Sequence, residues 1–118
     1  MTEFSFPYVS AEGSGDYFQV SFKSNADSEA AYFLIQRQFE SDDGGLFYVE
    51  SHDKRLCGHF KVGWAALGRD VFRLEVACEP PDTVQIRFHA DVTRYNRLRR
   101  ILKIMMSARI LTIDEKRP

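Results

Sequence analysis

The chain has 118 residues, which is the length of one domain and enough to bury a substantial core. Its hydrophobic content of 44% and aromatic content of 14% exclude an intrinsically disordered chain, because this much apolar surface offsets the entropy lost on folding. The formal net charge of −1 combines an acidic excess over residues 1–90 with a basic excess over residues 91–118. This division is compatible with a nucleic-acid contact, a protein contact, or a charged helix beside an oppositely charged sheet.

The first part of the chain predicts two strands. Residues 3–10 alternate aromatic and polar side chains, and Pro7, which has no backbone N–H to donate, predicts an edge position. Residues 18–23 alternate apolar and polar side chains with a strict period of two, which is typical of a half-buried strand. The small, polar residues 24–31 are compatible with a single helical turn.

The segment over residues 32–39 fits either a helix or a strand. A helix would gather Leu34 and Ile35 on one face, whereas a strand buried on both faces explains the same run of Tyr, Phe and Ile. We favour the strand. A further strand follows over residues 47–50, and an acidic turn over residues 40–45 separates the two.

Residues 57–64 predict one continuous strand. In such a strand Phe60, Val62 and Trp64 would share one face. Gly63 indicates a bulge or a close crossing of the backbone within it.

A β-hairpin is the clearest prediction of the second half of the chain. Residues 72–77 and 84–89 each alternate apolar and polar side chains, and the rigid turn at residues 80–82 joins them. We predict that Glu75 pairs with Arg87 on the outward face of this hairpin.

The period of the apolar residues changes from two to about 3.6 over residues 91–108, which predicts an amphipathic helix. Its apolar face combines Tyr95, Leu98, Leu102 and Met105, and Asp91 is placed to cap its N-terminus. Residues 110–113 predict a short last strand.

Together these elements predict an α+β fold in a single domain spanning residues 1–118. We expect a largely antiparallel meander of about six or seven strands, with the C-terminal amphipathic helix packed on one face. No apolar run approaches the roughly 20 residues of a membrane span, and the first residues do not have the pattern of a secretory signal. With two cysteines, the economical expectation is a reduced, cytoplasmic protein without disulfides.

Carboxylates at and beside the acidic turn form one candidate binding surface. Glu40, Asp42, Asp43 and Glu50 lack the alternating spacing of a calcium loop, so we predict a solvated acidic turn and no metal site. Such a group of charges would steer a basic partner toward it.

The predicted helix carries a second candidate surface, which we call the basic face of the helix. Phosphate binding needs basic charges on one side, so this face is the alternative hypothesis of a nucleic-acid or regulatory-partner adaptor. A pI near 6.3 and the lack of interleaved aromatic residues favour a solvated helix face instead. The residues concerned are Arg94, Arg97, Arg99, Arg100 and Lys103.

No complete set of catalytic residues is present in the sequence. A histidine can be paired with Cys57 or Cys78, but no third group orients the pair and no oxyanion loop accompanies it. A glycine-rich phosphate loop, a metal-binding cluster and a nucleophile elbow are all lacking. We therefore predict neither catalysis nor a cofactor.

The stretch YFLIQRQFE, the acidic turn and the stretch GLFYVE together resemble the immunity protein 10 family of bacterial polymorphic toxin systems. In that family an apolar strand ending in Gln-Arg is followed by an acidic stretch and a Tyr-x-Glu strand, then by a glycine-bearing strand and an amphipathic hairpin. The likeness covers roughly residues 17–90, and the short acidic linker and the basic C-terminal helix depart from the family pattern. The matching residues are Leu34, Gln36, Arg37, Glu40, Asp42, Gly45, Tyr48, Glu50 and Gly58.

The resemblance implies a non-enzymatic antidote that binds a cognate toxin made by the same cell. Binding would block the active site of the toxin or the access of its substrate, and for a nuclease the acidic side chains would occupy the site of the phosphates. Arg37 would hold the turn in place, and whether the chain is a monomer or a homodimer stays open. The implied contact residues are Glu40, Asp42, Asp43, Tyr48 and Glu50.

Overall fold

A computed structural model describes residues 1–24, 31–39 and 45–114 of the chain. The described residues form ten strands, one α-helix and one short 3-10 helix at Lys54–Leu56. The helix α1 is Val92–Met105. The strands are β1 (Thr2–Phe6), β2 (Tyr8–Ser14), β3 (Tyr17–Lys23), β4 (Tyr32–Gln38), β5 (Phe47–Ser51), β6 (Gly58–Phe60), β7 (Val62–Leu67), β8 (Val71–Val76), β9 (Asp82–Phe88) and β10 (Leu111–Ile113).

The ten strands form two five-stranded sheets. Sheet A has the order β1-β9-β8-β7-β10, and sheet B has the order β2-β3-β4-β5-β6. Sheet B is antiparallel throughout, whereas sheet A is antiparallel at its centre and has a parallel strand at each edge. The predicted α+β class, the largely antiparallel pairing and the C-terminal helix packed on a sheet are confirmed.

The division into two sheets differs from the single meander of six or seven strands that we predicted. Two predicted strands are each divided between the sheets: residues 3–10 divide at Pro7 into β1 and β2, and residues 57–64 divide at Lys61 into β6 and β7. Pro7 has no N–H for a strand ladder, so pairing is interrupted there. The expected edge position is confirmed, since β1 and β2 are each the edge strand of a sheet.

Trp64 does not share a buried face with Phe60 and Val62, contrary to the prediction. The pairing register of β7 with β8 shifts between Val62 and Ala65, and 38% of Trp64 remains exposed. An irregularity of this kind changes which side of the strand the following residues face. Gly63 lies within it, where an added side chain would collide with the carboxylate of Glu75.

The predicted hairpin of β8 and β9 is present, but its register is different. Arg87 lies opposite Val71, and Glu75 lies opposite Thr83, so the predicted pair of Glu75 with Arg87 is wrong. Pairing already includes Asp82, which the sequence assigned to the turn. Because the length of the turn sets the register of a hairpin, this shorter turn moves every pair.

Two ambiguous segments are resolved as strands. The segment over residues 32–39 is strand β4 as far as Gln38, as we favoured, and the expected short last strand is β10. The helical turn expected within residues 24–31 lies largely outside the described residues. Within the described parts of the chain, no helix is long and apolar enough to cross a membrane.

The two sheets face each other across a shared core. Phe22 of sheet B lies with its ring centroid 6.0 Å from that of Phe72 and 5.7 Å from that of Phe88, both in sheet A. Both inner faces are apolar because alternate residues of each strand point inward. The fully buried side chains include Val20, Phe22, Phe33, Ile35, Phe47 and Val49 of sheet B, and Phe72, Leu74, Val76, Val84 and Ile86 of sheet A.

The helix α1 begins as predicted and packs against β2 and β3. The carboxylate of Asp91 accepts a hydrogen bond from the backbone N–H of Arg94 at 2.8 Å, which satisfies one of the free donors at the helix N-terminus. The apolar stripe of the helix covers the core beside sheet B. Its buried residues are Tyr95, Leu98, Ile101, Leu102 and Met105.

Candidate protein-binding face

Sheet B has one face directed away from the core, which we call the outer face of sheet B. Strand alternation assigns its side chains. With the exception of Ser21, these side chains are half-buried or exposed, so the face lies at the molecular surface. The face consists of Tyr8, Ser10, Glu12, Ser14, Tyr17, Gln19, Ser21, Lys23, Tyr32, Leu34, Gln36, Gln38, Tyr48, Glu50 and His59.

The carboxylate of Glu50 is held between two tyrosine hydroxyls on this face. Tyr48 Oη donates a hydrogen bond to Glu50 Oε1 at 2.6 Å, and Tyr32 Oη donates one to Glu50 Oε2 at 2.7 Å. The ring of His59 lies against that of Tyr48, with centroids 5.2 Å apart. A carboxylate has about four lone-pair sites, so roughly two remain for another donor. We call this group the Tyr32–Glu50–Tyr48 cluster.

The hydrogen bonds of this cluster fix its protonation state. The bonds from Tyr48 and Tyr32 lower the pKa of Glu50, although partial burial opposes them. The bond to Glu50, with some burial, raises the pKa of Tyr32 to about 12 and also raises the pKa of Tyr48. At neutral pH the cluster is therefore one carboxylate and two neutral phenols. Proton-transfer catalysis at this pH needs pKa values shifted toward 7, and these are shifted away from it.

A second hydrogen-bonded group orders the neighbouring part of the outer face. Gln19 Oε1 accepts from Tyr17 Oη at 2.5 Å and from Gln36 Nε2 at 2.8 Å. Side chains held in one conformation lose little entropy when a partner binds. The outer face of sheet B is thus a preorganised polar surface with several aromatic rings.

The outer face of sheet A has a different chemistry. It places Glu3 and Glu75 among Arg73 and Arg87, so its charges of opposite sign are balanced, and it has no tyrosine. Interfaces are enriched in tyrosine relative to the rest of a protein surface. Of the two outer faces, that of sheet B is the better candidate for binding a protein.

The predicted contact residues are only partly placed by the structure. Glu40, Asp42 and Asp43 lie outside the described residues, whereas Tyr48 and Glu50 lie side by side on the outer face of sheet B. The sequence interpretation missed Tyr32. The antiparallel pairing of β4 with β5 could have indicated Tyr32. It puts Leu34 opposite Glu50, so that Tyr32, two residues before Leu34 on β4, lies within reach of the Glu50 carboxylate.

Arg37 points to the inner side of β4, away from the outer face. Its guanidinium lies between the rings of Phe39 and Phe47, 4.8 and 4.7 Å from their centroids, and Nη1 donates to the carbonyl of Met105 at 2.9 Å. This side chain therefore joins the end of β4 and the start of β5 to the C-terminus of α1. These contacts are those of a positioning residue.

The basic face of the helix is partly used within the chain. Arg94 Nη1 donates to the carbonyl of Val9 at 3.2 Å, and Arg97 Nε donates to the carbonyl of Ala11 at 2.5 Å. The Arg94 guanidinium also lies 4.6 Å from the ring centroid of Tyr8, and a hydrogen bond with Tyr8 raises the pKa of Arg94. These two arginines therefore occupy the edge of β2.

The other members of this face differ in exposure. Arg100 and Lys103 are exposed, and Arg99 is half-buried. Of the five residues, Arg94 and Arg97 thus have donors engaged within the chain, while Arg100 and Lys103 remain exposed. The adaptor hypothesis therefore stays a prediction.

We expect no nucleic-acid complex at moderate salt, because binding through few phosphate contacts weakens steeply as salt is added. A gel shift with a DNA duplex and a single-stranded RNA, each at about 50 and about 200 mM salt, measures this. The matched variant carries Arg100→Glu and Lys103→Glu. A complex that persists at the higher salt and disappears in the variant would contradict the expectation and favour the adaptor.

The candidate nucleophiles do not converge on a common site. Cys57 Sγ lies 3.3 Å from the carbonyl oxygen of Ser51, and the buried Cys78 Sγ lies 3.3 Å from that of Pro80. Among the residues that the structure describes, no group of three or more His, Cys, Asp or Glu side chains is placed to hold a metal ion.

No family model matches the chain, and no curated protein or solved structure matches it either. The outer face of sheet B is therefore interpreted from its own chemistry.

Proposed function

We propose that the chain is an immunity protein that binds a cognate toxin of a bacterial polymorphic toxin system and blocks its active site or the access of its substrate. The outer face of sheet B carries the proposal, because it is a preordered surface with several tyrosines and an ionised glutamate. Tyrosine supplies a large contact area and a hydroxyl at low entropic cost, which suits a protein interface. The resemblance of residues 17–90 to the immunity protein 10 family supports the same class of function.

The proposed contact surface combines Tyr48 and Glu50 with three acidic residues that separate β4 from β5 in sequence, Glu40, Asp42 and Asp43. Carboxylates attract a basic surface such as the phosphate-binding site of a nuclease. A partner held there cannot receive its substrate. This mode of action requires tight binding and no chemistry from the chain itself.

Protection of cells against the neighbouring toxin tests the proposal. The toxin domain encoded by the reading frame upstream of this chain is expressed with and without the chain, and we expect survival only when the chain is present. The two purified proteins should also elute together from a sizing column, whereas an unrelated toxin domain should not. Failure to protect together with failure to bind would contradict the proposal, as would an upstream frame that encodes no toxin.

Charge reversal at the acidic turn should slow association with the toxin domain. With Asp42→Lys and Asp43→Lys, we expect the association rate at low salt to fall about tenfold, because steering depends on opposite charges and is screened by salt. Stopped-flow measurements over a salt titration give this rate.

The matched control for this charge reversal carries Asp70→Lys and Glu79→Lys, two exposed residues in turns of sheet A. It makes the same change in net charge far from the proposed surface, so its rate should change little. An association rate that is equally insensitive to salt in all three proteins would remove the electrostatic part of the proposal.

A further inference from the structure

We infer that the Tyr32–Glu50–Tyr48 cluster is a receptor for one arginine side chain of the bound protein. The inference rests on the proposed function for the identity of that protein, the toxin, and adds the chemistry by which it is recognised. Its occupant is a guanidinium, which is planar, always charged and able to donate two parallel hydrogen bonds to one carboxylate.

Glu50 is an ionised carboxylate without a cation from the described parts of its own chain. Two other carboxylates with a lowered pKa have a cation beside them: Asp53 lies 3.0 Å from Arg55 Nη2, and Asp82, which Thr2 and the amino terminus of the chain stabilise most, lies 3.3 Å from that amino group. The pKa of Glu50, in contrast, is lowered by hydrogen bonds from Tyr48 and Tyr32. Among the described residues its negative charge is thus kept at the surface by neutral groups, a setting that can receive a cation of a partner.

The aromatic surroundings of Glu50 suit a guanidinium in particular. Elsewhere in this chain arginines lie on aromatic rings, with Arg69 4.6 Å from the ring centroid of Tyr95 and Arg94 4.6 Å from that of Tyr8. Such contacts are favourable because the face of an aromatic ring is negative. Tyr32 and Tyr48 hold the carboxylate through their hydroxyls, so an incoming guanidinium meets aromatic side chains beside the acceptor.

The position of the cluster favours a role in affinity as well as in steering. Glu50 lies on β5 opposite Leu34 of β4, next to the part of β5 that pairs with β6, and it is three strands away from the long edge at β2. The other charged side chains of this face are Glu12 on β2 and Lys23 on β3, the latter opposite Tyr32. Central, desolvated anchors surrounded by neutral contacts dominate the binding energy of an interface.

Replacement of the charge at Glu50 tests the inference with the upstream toxin domain as the binding partner. For Glu50→Gln we expect the Kd to rise about tenfold to 100-fold, mainly through faster dissociation, because a charge pair inside an interface is lost. Glutamine keeps the size of the side chain and one acceptor for the phenols. Titration calorimetry gives Kd, and surface plasmon resonance gives the rates.

Glu3→Gln is the matched control, because it removes the same charge at an exposed site on the outer face of sheet A, outside the proposed contact surface. We expect it to change Kd by less than about threefold. If wild type binds and Glu50→Gln binds equally well, the receptor inference fails while the proposed function stands. If Glu50→Gln has lost its thermal transition, Tyr48→Phe is measured in its place. This variant keeps the ring and removes one hydrogen-bond donor to Glu50. An unchanged Kd for Tyr48→Phe would overturn the inference.

A probe that does not depend on the toxin separates the two proposals. Ethylguanidinium is titrated into the chain at constant ionic strength, and the ring signals of Tyr32 and Tyr48 are followed by NMR. We expect saturable shifts in wild type and in Glu3→Gln, and none in Glu50→Gln. Saturable shifts without toxin binding would uphold the receptor and overturn the toxin as its partner, whereas equal shifts in all three proteins would overturn the receptor.

Discussion

A chain that ends at Ala90 should not fold cooperatively. It lacks α1 and β10, and each buried helix side chain contributes roughly 1.5–3 kcal/mol by removing apolar surface from water. The five together contribute about 8–15 kcal/mol, which is comparable to the roughly 5–15 kcal/mol by which a typical domain is stable. The truncation also removes Arg94 and Arg97 from the carbonyls of Val9 and Ala11. The side chains lost are Tyr95, Leu98, Ile101, Leu102 and Met105.

Thermal unfolding followed by circular dichroism measures this loss. The matched control ends at Asp114, which removes residues 115–118 and keeps α1 and β10, so it should retain the sharp transition of the full chain. A sharp transition in the chain that ends at Ala90 would show that the two sheets hold together without the helix.

The second large effect is expected at the contact between the sheets. Phe22→Ala should lower the free energy of unfolding by about 3–5 kcal/mol, because it removes a fully buried ring and leaves a cavity between the sheets. The ring stacks on Phe72 with an interplanar angle of 17° and also contacts Phe88, so neither sheet can fill the space alone. Urea denaturation at equilibrium gives the free energy.

Phe39→Ala is the comparison for this substitution. The same atoms are removed, but Phe39 is 41% exposed and its loss should cost about 1 kcal/mol. If Phe22→Ala costs no more than Phe39→Ala, the two inner faces do not form one core.

Local patterns in the sequence predict the individual elements well, because each depends on near neighbours along the chain. The period of two gives β3, β8 and β9, and the period of 3.6 together with Asp91 gives α1 and its first residue. Even the ambiguous β4 follows from its aromatic and β-branched residues. The class of fold was therefore accessible from sequence.

The division of the strands into two sheets could not be predicted from the sequence, because it depends on where the chain crosses from one sheet to the other. The crossings at Pro7 and Lys61 interrupt runs that keep their apolar alternation on both sides. The register of β8 with β9 was missed for a related reason, since it is set by where pairing begins, at Asp82. The three-residue edge strands β6 and β10 are also hard to predict from the sequence, because three residues are too few to show a periodic pattern.

Part of the candidate site could be predicted from the sequence. Tyr48 and Glu50 are two residues apart on one strand, so their shared face follows from alternation alone. Tyr32 reaches the same carboxylate from a neighbouring strand, and that contact requires the register of β4 with β5. The chemical character of the site, a glutamate clamped by two phenols, therefore needed the fold.

The arginines at the edge of β2 also bear on self-association. An unpaired edge strand exposes a row of backbone groups to which another molecule can add a strand, and such additions can propagate into fibres. In this chain Arg94 and Arg97 already donate to the outward carbonyls of Val9 and Ala11. A strand from a second copy would have to displace both arginines before it could pair along the seven-residue strand β2, so this edge is protected against seeding aggregation at high concentration.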